Sequence, residues 1–371
     1  MNACHVVNAL TDTTMAGDLA VKQVEVGDVD RVDVCCWRGC NKSLEHPDVD
    51  IYDLAANNTT RLQRMFEFDE IVSEADIVHV HHTVSGILGK VLATRHRKPI
   101  VVTEHNSHAG YETHRLVVDN LTNRLADRVV CVSESVEESL APWERKMIGG
   151  NKLCTVYNGV DVDRIEDAKN IDWSIHDQVD IDPNAVIVSS AGMLIEQKAQ
   201  HVLIDAVDEA NKTSDTPIEL VISGDGRRKE ELQTQIDESK FSDQMHLLGF
   251  LPRREQVYKM MHESHIYAMP SRWEGFCVAA LEALAAGNAC IFSNIDAFTP
   301  FSEVVLLHDQ NCIEDLRSKI HLLAENQNKR DRMIVSGKNL VTREYTLEST
   351  AKFYARIYQS LLNTQNHNHD Y

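Results

Sequence analysis

A chain of 371 residues is too long for one ordinary hydrophobic core and too short for three, so its length predicts two domains. Hydrophobic residues make up 43% and charged residues 25% of the chain, a composition typical of a globular protein that excludes a disordered or fibrous one. The net charge of −20 opposes nonspecific binding to nucleic acid or acidic membranes, and no apolar run approaches the roughly 20 residues of a membrane span.

Short β-branched runs alternate with helix-length segments in the first half of the chain. Strands separated in this way are typical of βαβ units, in which helices cover both faces of a parallel sheet. The predicted strands are His5–Ala9, Val32–Cys36, Ile77–His81, Ile100–Thr103 and Val129–Val132.

The alternation stops at Asn158–Asp163, and the following polar segment, Ile165–Asp182, has no clear period. It then resumes with predicted strands at Ala185–Ser190, Glu219–Ser223, Met245–Leu248, Ile266–Met269 and Ala289–Ser293, and with predicted helices at Gln200–Asn211, Lys229–Ser239 and Arg254–Glu263. The sequence therefore predicts an α/β protein of two doubly wound, Rossmann-like halves, each the size of a nucleotide-binding domain.

The last predicted helix, Glu348–Leu362, is amphipathic, and the polar tail Asn363–Tyr371 is expected to fray. We place the first domain at residues 1–163, joined by the C-terminal helix 345–362, and the second domain at 164–344.

The acidic residues are spread along the chain, as in Asp28, Asp30 and Asp33, and form no single tail. Spread acidity keeps a protein soluble in concentrated salt, where counterions screen its self-repulsion. We therefore expect a salt-loving source, with an ordinary acidic bacterial enzyme as the alternative.

The nine cysteines are scattered and odd in number, which does not indicate a disulfide framework. The tightest group, Cys35, Cys36 and Cys40, lacks a second pair that would complete a four-ligand zinc site. Met1–Leu10 has no basic segment followed by a long apolar stretch, so no signal peptide is expected. These features predict reduced thiols and a cytoplasmic location.

The strongest local signal is Pro270–Gly287, in which a Pro/Gly turn leads from a strand into an Ala/Leu-rich helix that Gly287 can terminate. The backbone N–H groups at such a helix start suit a phosphate. Glu274 lies in the turn and Glu282 about two helical turns later, roughly 80° around the axis, so the two need not act as a pair. Taken alone, the pattern favours a solvated turn residue at Glu274 and a surface position at Glu282.

Several motifs in order along the chain resemble the GT-B family of retaining glycosyltransferases, the glycogen-synthase-like group called family 4. Gly192–Lys198 resembles the family's Gly-Arg-Leu-x-x-x-Lys diphosphate loop, and Glu274–Glu282 its two glutamates separated by seven residues. Further matches are the strand and serine turn Arg128–Ser135, the hinge Tyr157–Asp161, and the loops Ser223–Gly226 and Leu248–Leu251.

The resemblance implies roles for residues of the second domain. Lys198 would hold the donor diphosphate and stabilise its growing charge, Glu274 would contact the sugar hydroxyls, and Glu282 the nucleotide ribose. Backbone amides of Gly275, Phe276 and Cys277 would meet the phosphates. Gly224 and Gly226 would let the backbone approach the nucleotide, or would simply shape a strand-to-helix turn.

In the first domain, His105 follows a predicted strand at the place where the family puts a histidine against the donor sugar. His79, His81 and His82 suggest a metal site, but side chains alternate between the faces of a strand and no carboxylate or cysteine stands at ligand spacing. We therefore expect no metal, and His81 is a further candidate for the cleft.

Two positions depart from the family pattern. The diphosphate arginine is Met193 in this chain, and Arg272 or Arg227 are the alternative sources of that charge. The glycine-rich phosphate loop after the first strand retains only Gly17, followed by Asp18.

The resemblance implies transfer of a hexose from a nucleotide diphosphate sugar to a glycan or lipid-linked glycan, with retention of anomeric configuration, in a cleft between the domains. A sugar-nucleotide epimerase and a non-catalytic sugar-nucleotide-binding partner are the alternatives; the sequence lacks the Gly-x-Gly-x-x-Gly pattern of a dinucleotide oxidoreductase. No cofactor, metal or nucleic acid is expected. Peripheral contact with the cytoplasmic membrane face stays open, because the dense basic run Arg95–Lys98 also fits a solvated helix end.

Overall fold

The computed structural model describes residues 1–11, 14–40, 46–55, 60–81, 83–108 and 121–369. The chain divides into two compact units. Unit 1 comprises Met1–Asn158 and Leu347–Tyr371, and unit 2 comprises Gly159–Thr346.

The described part of unit 1 contains a parallel sheet of seven strands in the order β3-β2-β1-β4-β5-β6-β7. The strands are β1 (Asn2–Val7), β2 (Arg31–Cys36), β3 (Val49–Asp53), β4 (Ile77–Val80), β5 (Ile100–Glu104), β6 (Arg128–Cys131) and β7 (Leu153–Thr155). The winding direction reverses between β1 and β4, which is where ligands bind in open α/β sheets.

Helices connect these strands, as the alternating sequence pattern predicts. They are α1 (Met15–Glu25), α2 (Arg61–Glu74), α3 (Thr83–Arg95), α4 (Glu134–Ser139) and α5 (Pro142–Ile148). Thr60 begins α2 by accepting a hydrogen bond from the Gln63 amide, while the Gln63 side chain accepts one from the Thr60 amide.

The described part of unit 2 contains a parallel sheet of six strands in the order β10-β9-β8-β11-β12-β13. The strands are β8 (Val186–Ala191), β9 (Ile218–Ser223), β10 (Met245–Gly249), β11 (Ile266–Met269), β12 (Ala289–Ser293) and β13 (Leu306–His308). Here the winding reverses between β8 and β11, so the loops that follow these two strands lie side by side.

The helices of unit 2 begin with α6 (Val162–Asp167), whose first turn is capped by the Asp161 side chain. They continue with α7 (Gln200–Asn211), α8 (Lys229–Asp237), α9 (Arg254–His262), α10 (Val278–Ala286), α11 (Ile313–Ala324) and α12 (Gln327–Glu344). Gly287 ends α10 with φ of 94°, as predicted, because a left-handed residue at this position favours glycine.

The last helix, α13 (Leu347–His369), belongs to unit 1. It buries Ala351, Tyr354 and Tyr358 against β1, β2 and α1 within one hydrophobic cluster. The helix runs seven residues beyond the predicted end at Leu362, so most of the tail that we expected to fray is helical.

The structure confirms the two doubly wound α/β sheets, with small shifts at most strand ends. Its described residues also form three strands that we did not predict, β3, β7 and β13. β3 reads Val-Asp-Ile-Tyr-Asp and is half exposed, while β7 and β13 have three residues each, so none carries a buried β-branched run. Sheet pairing stabilises these strands.

Candidate functional site

Two loops of unit 2 meet at the carboxyl ends of the adjacent strands β8 and β11. The first loop carries Lys198 and the second carries Glu274, and Nζ of Lys198 lies 2.6 Å from Oε1 of Glu274. Their side chains are only 18% and 7% exposed, so Glu274 is not the solvated turn residue that the local pattern alone favours. The sheet topology therefore brings together two residues that lie 76 positions apart.

The Lys198–Glu274 pair holds a positive charge in a buried place. Burial by itself lowers the pKa of Lys198, but nearby Cys277 and Glu274 outweigh it and raise the pKa above its ordinary value. Burial, reinforced by the charge of Glu274, raises the pKa of the Cys277 thiol to about 12. At neutral pH Lys198 is therefore a charged ammonium and Cys277 a neutral thiol.

Two hydrogen bonds to backbone carbonyls connect the two loops. The Arg272 amide donates to the Gln197 carbonyl over 2.8 Å, and the Gln197 side chain donates to the Trp273 carbonyl over 2.8 Å. These bonds flank the Lys198–Glu274 contact and hold the two loops at a defined distance.

Gly224 and Gly226 allow a third loop to pack against the Lys198 loop. A Cβ on Gly224 would lie 1.9 Å from the Gly192 carbonyl oxygen, and one on Gly226 would lie 2.5 Å from that of Leu194. Both residues have positive φ angles. The packing of the two loops therefore explains why both positions need glycine. This supports the alternative in which the glycines shape the turn, over the one in which they let the backbone approach the nucleotide.

The turn before α10 contains the three residues predicted to meet phosphates. Phe276 is buried, and its ring stacks on Tyr345 with centroids 6.1 Å apart. The thiol of Cys277 donates to the Met269 sulfur at 3.2 Å. These contacts and the turn at Gly275 orient the start of the helix, whose N-terminal dipole favours an anion.

Glu282 lies inside α10 and is only 5% exposed, so it is not a surface residue. Its Oε1 accepts hydrogen bonds from Nε of Arg254 at 2.9 Å and from the Tyr258 hydroxyl at 3.0 Å. Neither partner was predicted, because no sequence pattern in α9 and α10 indicates that Arg254 and Tyr258 contact Glu282.

Neither Arg272 nor Arg227 simply replaces the arginine missing at position 193. Met193 is 60% exposed, and Arg227 is exposed as well. The Arg272 guanidinium is ion-paired with Glu196 and donates to Asn311, and Arg228 also pairs with Glu196, at 3.0 Å. Lys198 is therefore the cation that the structure places against Glu274.

Unit 1 has a small pocket where its sheet reverses direction, between β1 and β4. The pocket is lined by residues of α1 and α13, by the histidines after β4 and β5, and by Asn158. The lining residues are Met15, Ala16, Leu19, His81, His105, Asn158, Thr350 and Tyr354. His105 thus lines a pocket at the carboxyl edge of the sheet. Gly17 lies in the first turn of α1 and is buried, whereas the sequence placed it in the loop after the first strand.

Buried polar contacts anchor the backbone on both sides of His105. Glu104 accepts a hydrogen bond from Asn123 at 2.8 Å, and His108 Nδ1 lies 2.9 Å from Oε1 of Glu144. The second nitrogen of His108 lies 3.5 Å from Oε2 of Glu104. The loop is therefore fixed between two buried charged groups.

His79 in β4 and His81 directly after it have a neighbour that was not predicted. His79 and His81 are two residues apart and share one face of the strand, so the expectation that alternation separates them is wrong for this pair. His5 of β1 pairs in register with His79, and ligand atoms of the three rings lie within 4.8 Å of one another. The sequence did contain a signal for this cluster, because both His5 and His79 lie on predicted strands. His82 lies outside the described residues.

The basic run at the end of α3 is partly neutralised, because Arg95 and His96 both contact Asp69, at 3.5 and 2.8 Å. Among the described residues, no helix combines the length and the apolar character needed to cross a membrane.

Comparisons with known proteins cover both units. The family model described as "Glycosyl transferases group 1" matches residues 171–340, and "Glycosyltransferase Family 4" matches residues 22–164. The Escherichia coli UDP-Gal:alpha-D-GlcNAc-diphosphoundecaprenol alpha-1,3-galactosyltransferase is 27% identical over 232 residues, which is 60% of this chain but only 58% of that enzyme. The E. coli O-antigen biosynthesis glycosyltransferase WclY is 23% identical over 86% of this chain and 88% of its own length.

Among solved structures, Anabaena HepE in complex with UDP-glucose superposes with a TM-score of 0.78 at 18% identity, covering 97% of this chain and 100% of HepE. This likeness concerns the fold. Together, the two family matches, the two parallel sheets and the structural likeness show that the chain belongs to the group 1, family 4 glycosyltransferases of GT-B fold.

Proposed function

We propose that the chain transfers a hexose from a nucleotide diphosphate sugar to a glycan or lipid-linked glycan acceptor, with retention of anomeric configuration. The observation that carries this proposal is the buried Lys198–Glu274 pair between the loops after β8 and β11. It combines a fixed positive charge with a hydrogen-bond acceptor beside a helix start, which suits a pyrophosphate joined to a sugar.

In the proposed reaction, Lys198 binds the diphosphate and stabilises the negative charge that grows on it as the bond from C1 to the phosphate oxygen breaks. A charge preoriented in a buried place needs little reorganisation during the reaction, which makes it effective. Its ion pair with Glu274 holds the ammonium in place before the donor binds. The amides of Gly275, Phe276 and Cys277 supply further donors to the phosphates.

Glu274 and Glu282 take different parts of the donor. The Glu274 carboxylate accepts hydrogen bonds from sugar hydroxyls, and that of Glu282 from the ribose diol. Arg254 and Tyr258 already occupy Oε1 of Glu282, so the ribose is expected at Oε2. For His105, the proposal is that a ring nitrogen accepts a hydrogen bond from a hydroxyl of the transferred sugar.

Retention follows if the acceptor hydroxyl attacks C1 on the face from which the phosphate leaves. The new C1–O bond then forms as the old one breaks, and the hydroxyl proton passes to the departing phosphate oxygen. The proposed reaction uses no metal, because Lys198 and the amides before α10 carry the charge stabilisation.

The activities named for the relatives direct the choice of substrates. One relative is described as taking UDP-Gal to a diphosphoundecaprenol-linked sugar, and HepE was solved with UDP-glucose. We therefore propose a nucleotide-activated hexose as donor and a glycan, free or lipid-linked, as acceptor. The acceptor proposal includes peripheral contact with a membrane surface.

The decisive experiment incubates the protein with UDP-glucose, UDP-galactose or GDP-mannose and a diphosphoundecaprenol-linked sugar, without added metal and with EDTA. We expect a disaccharide product whose anomeric coupling by NMR matches that of the donor. An inverted anomer would refute retention. A product that forms in a parallel incubation with Mg²⁺ but not with EDTA would refute the metal-free mechanism.

The exposed Met193 and the pairing of Arg272 with Glu196 favour one second candidate, a sugar-nucleotide-binding partner without activity of its own. Donor binding by calorimetry without product from any acceptor would support that candidate. A new isomer formed from the donor alone would instead identify an epimerase.

A further inference from the structure

A buried cluster of polar side chains lies behind His105 in unit 1. His5, His79, Tyr354 and Tyr358 are at most 1% exposed, and His81 is 2% exposed. The cluster joins the carboxyl ends of β1, β4 and β5 to the terminal helix α13. Buried polar groups require partners, so the hydrogen bonds of this cluster determine its geometry.

Two short hydrogen bonds lie at one end of the cluster. The Tyr358 hydroxyl oxygen lies 2.6 Å from His79 Nδ1, and His79 Nε2 lies 2.7 Å from Oγ1 of Thr103. Thr103 in turn lies 2.9 Å from the hydroxyl oxygen of Tyr354. Both ring nitrogens of His79 are therefore engaged with hydroxyl groups.

The shortest contact defines a direction. A phenol O–H is a stronger proton donor than the N–H of a neutral imidazole, so we assign Tyr358 as the donor and His79 Nδ1 as the acceptor across this 2.6 Å contact. The Tyr358 oxygen can then only accept from its other neighbours. These are Nε2 of Gln23 at 3.2 Å and Nε2 of His5 at 3.4 Å.

The donor–acceptor direction at Tyr358 determines the direction at each of the remaining histidines, because a neutral imidazole donates from one nitrogen and accepts at the other. His5 donates from Nε2, so its Nδ1 accepts from His81 Nε2, 3.2 Å away. His81 Nδ1 then accepts from Nε2 of His105 at 3.4 Å. Each ring along the chain thus carries its proton on Nε2.

The rings must be neutral for this assignment to hold. Burial lowers the pKa of His5 to about 3, and burial together with the neighbouring histidines lowers that of His79. A metal at the three clustered rings would compete with the two short hydroxyl bonds of His79, and the group contains no acidic residue to offset the charge of a cation. Hydrogen bonding is the arrangement that the distances favour.

We propose that Tyr358, His5 and His81 are positioning residues, which hold His105 as its Nε2–H tautomer with Nδ1 as the acceptor nitrogen of the ring. The effect of this tautomer on sugar transfer rests on the proposed function, in which His105 accepts a hydrogen bond from a hydroxyl of the transferred sugar. The tautomer itself is independent of that function.

The test labels histidine with ¹⁵N and records long-range proton–nitrogen spectra of the wild-type protein near neutral pH. Assignment uses the single variants His5→Gln, His81→Gln and His105→Gln. We expect the Nε2–H pattern for all three rings. In Tyr358→Phe, His5 loses its acceptor, so we expect the Nδ1–H form to become populated along the chain to His105.

Tyr354→Phe is the matched control, because it removes a buried hydroxyl of the same helix that contacts Thr103 and lies outside the chain from Tyr358 through His5 and His81 to His105. It should leave the His105 tautomer unchanged. An Nδ1–H form of His105 in the wild type, or the same His105 signals with and without the Tyr358 hydroxyl, would overturn the proposal. So would one equivalent of tightly bound transition metal coordinated by these rings.

The wild-type spectrum tests the tautomer assignment even if the Tyr358→Phe variant fails to fold. Where it folds, we also expect turnover to fall roughly threefold to tenfold with an unchanged KM for the donor. An altered tautomer with unchanged turnover would refute the positioning role. If the wild type transfers no sugar but shows the expected tautomers, the proposed function is refuted. The tautomer assignment is then still supported.

Discussion

Nζ of Lys198 lies 2.6 Å from Oε1 of Glu274. Parallel strands that are neighbours in the sheet bring their following loops to one edge, and this pair joins the loops after β8 and β11. A cation and a carboxylate held in this way carry the proposed function, so they are the first residues to test.

Lys198→Ala and Glu274→Ala should each reduce transfer at least about a hundredfold, equivalent to roughly 2.7 kcal/mol of transition-state stabilisation. The physical reason is loss of the preoriented charge or of the group that holds the sugar. Steady-state kinetics with the preferred donor measure the effect, and circular dichroism checks the fold. Lys212→Ala is the control, because Lys212 forms only exposed ion pairs with Asp208 and Glu209. Near-wild-type turnover in both site variants would show that the site is elsewhere.

Glu282→Ala should weaken nucleotide binding and also destabilise the protein by about 3 kcal/mol, because the buried Arg254 guanidinium would lose the Glu282 carboxylate. Calorimetry with a nucleoside diphosphate and urea unfolding measure the two effects. Glu255→Ala is the matched control, since Glu255 pairs with Arg164 in a more exposed place of the same unit and should cost less than about 1 kcal/mol. Equal stability losses in the two variants would contradict this reading of Glu282.

Gly224→Ala should destabilise the protein by about 3 kcal/mol or more, whether or not a nucleotide is present, since the new Cβ would collide with the Gly192 carbonyl. Gly150→Ala is the control, because a Cβ there meets nothing within 4 Å. Thermal unfolding of the two variants without ligand makes the comparison. A Gly224 variant as stable as wild type would contradict loop packing as the reason for this glycine.

Stability should fall as the pH rises past neutrality because of His108. Burial opposes the charged form of His108, but Glu104 and Glu144 outweigh it and raise the pKa to about 9. A raised pKa in the folded state stabilises the protein fully below the unfolded pKa of about 6.5, and this contribution is lost as the pH rises through about 9.

Urea unfolding at pH 7 and at pH 9.5 measures this contribution. We expect the difference in unfolding free energy between the wild type and His108→Gln to shrink by about 2 kcal/mol at the higher pH. The comparison between variants removes the effects of thiols, tyrosines and lysines that titrate in the same range. A constant difference would show that His108 is not charged in the folded protein.

The net charge of −20 predicts a melting temperature that rises between dilute buffer and multimolar KCl, because counterions screen the repulsion among the carboxylates. Thermal scans at a series of KCl concentrations test the proposal of a salt-loving source. Equal stability across the range would favour an ordinary acidic enzyme.

Much of the fold could be predicted because each half repeats one physical pattern. Strands buried on both faces need continuous apolar runs, and Ile266–Met269 and Ala289–Ser293 were predicted to the residue. The edge strands β3, β7 and β13 could not be predicted in the same way, because two are very short and the third is half exposed.

The sequence alone determined the alternating architecture and, through ordered motifs, the family and the candidate residues Lys198, Glu274, Glu282 and His105. It could not determine their partners, since Glu282 meets Arg254, and His105 meets His81, through packing between distant segments. Periodicity follows from contacts along one helix or strand. Which buried charges pair, and which nitrogen of a buried ring carries the proton, depend on the distances between elements that only the tertiary structure sets.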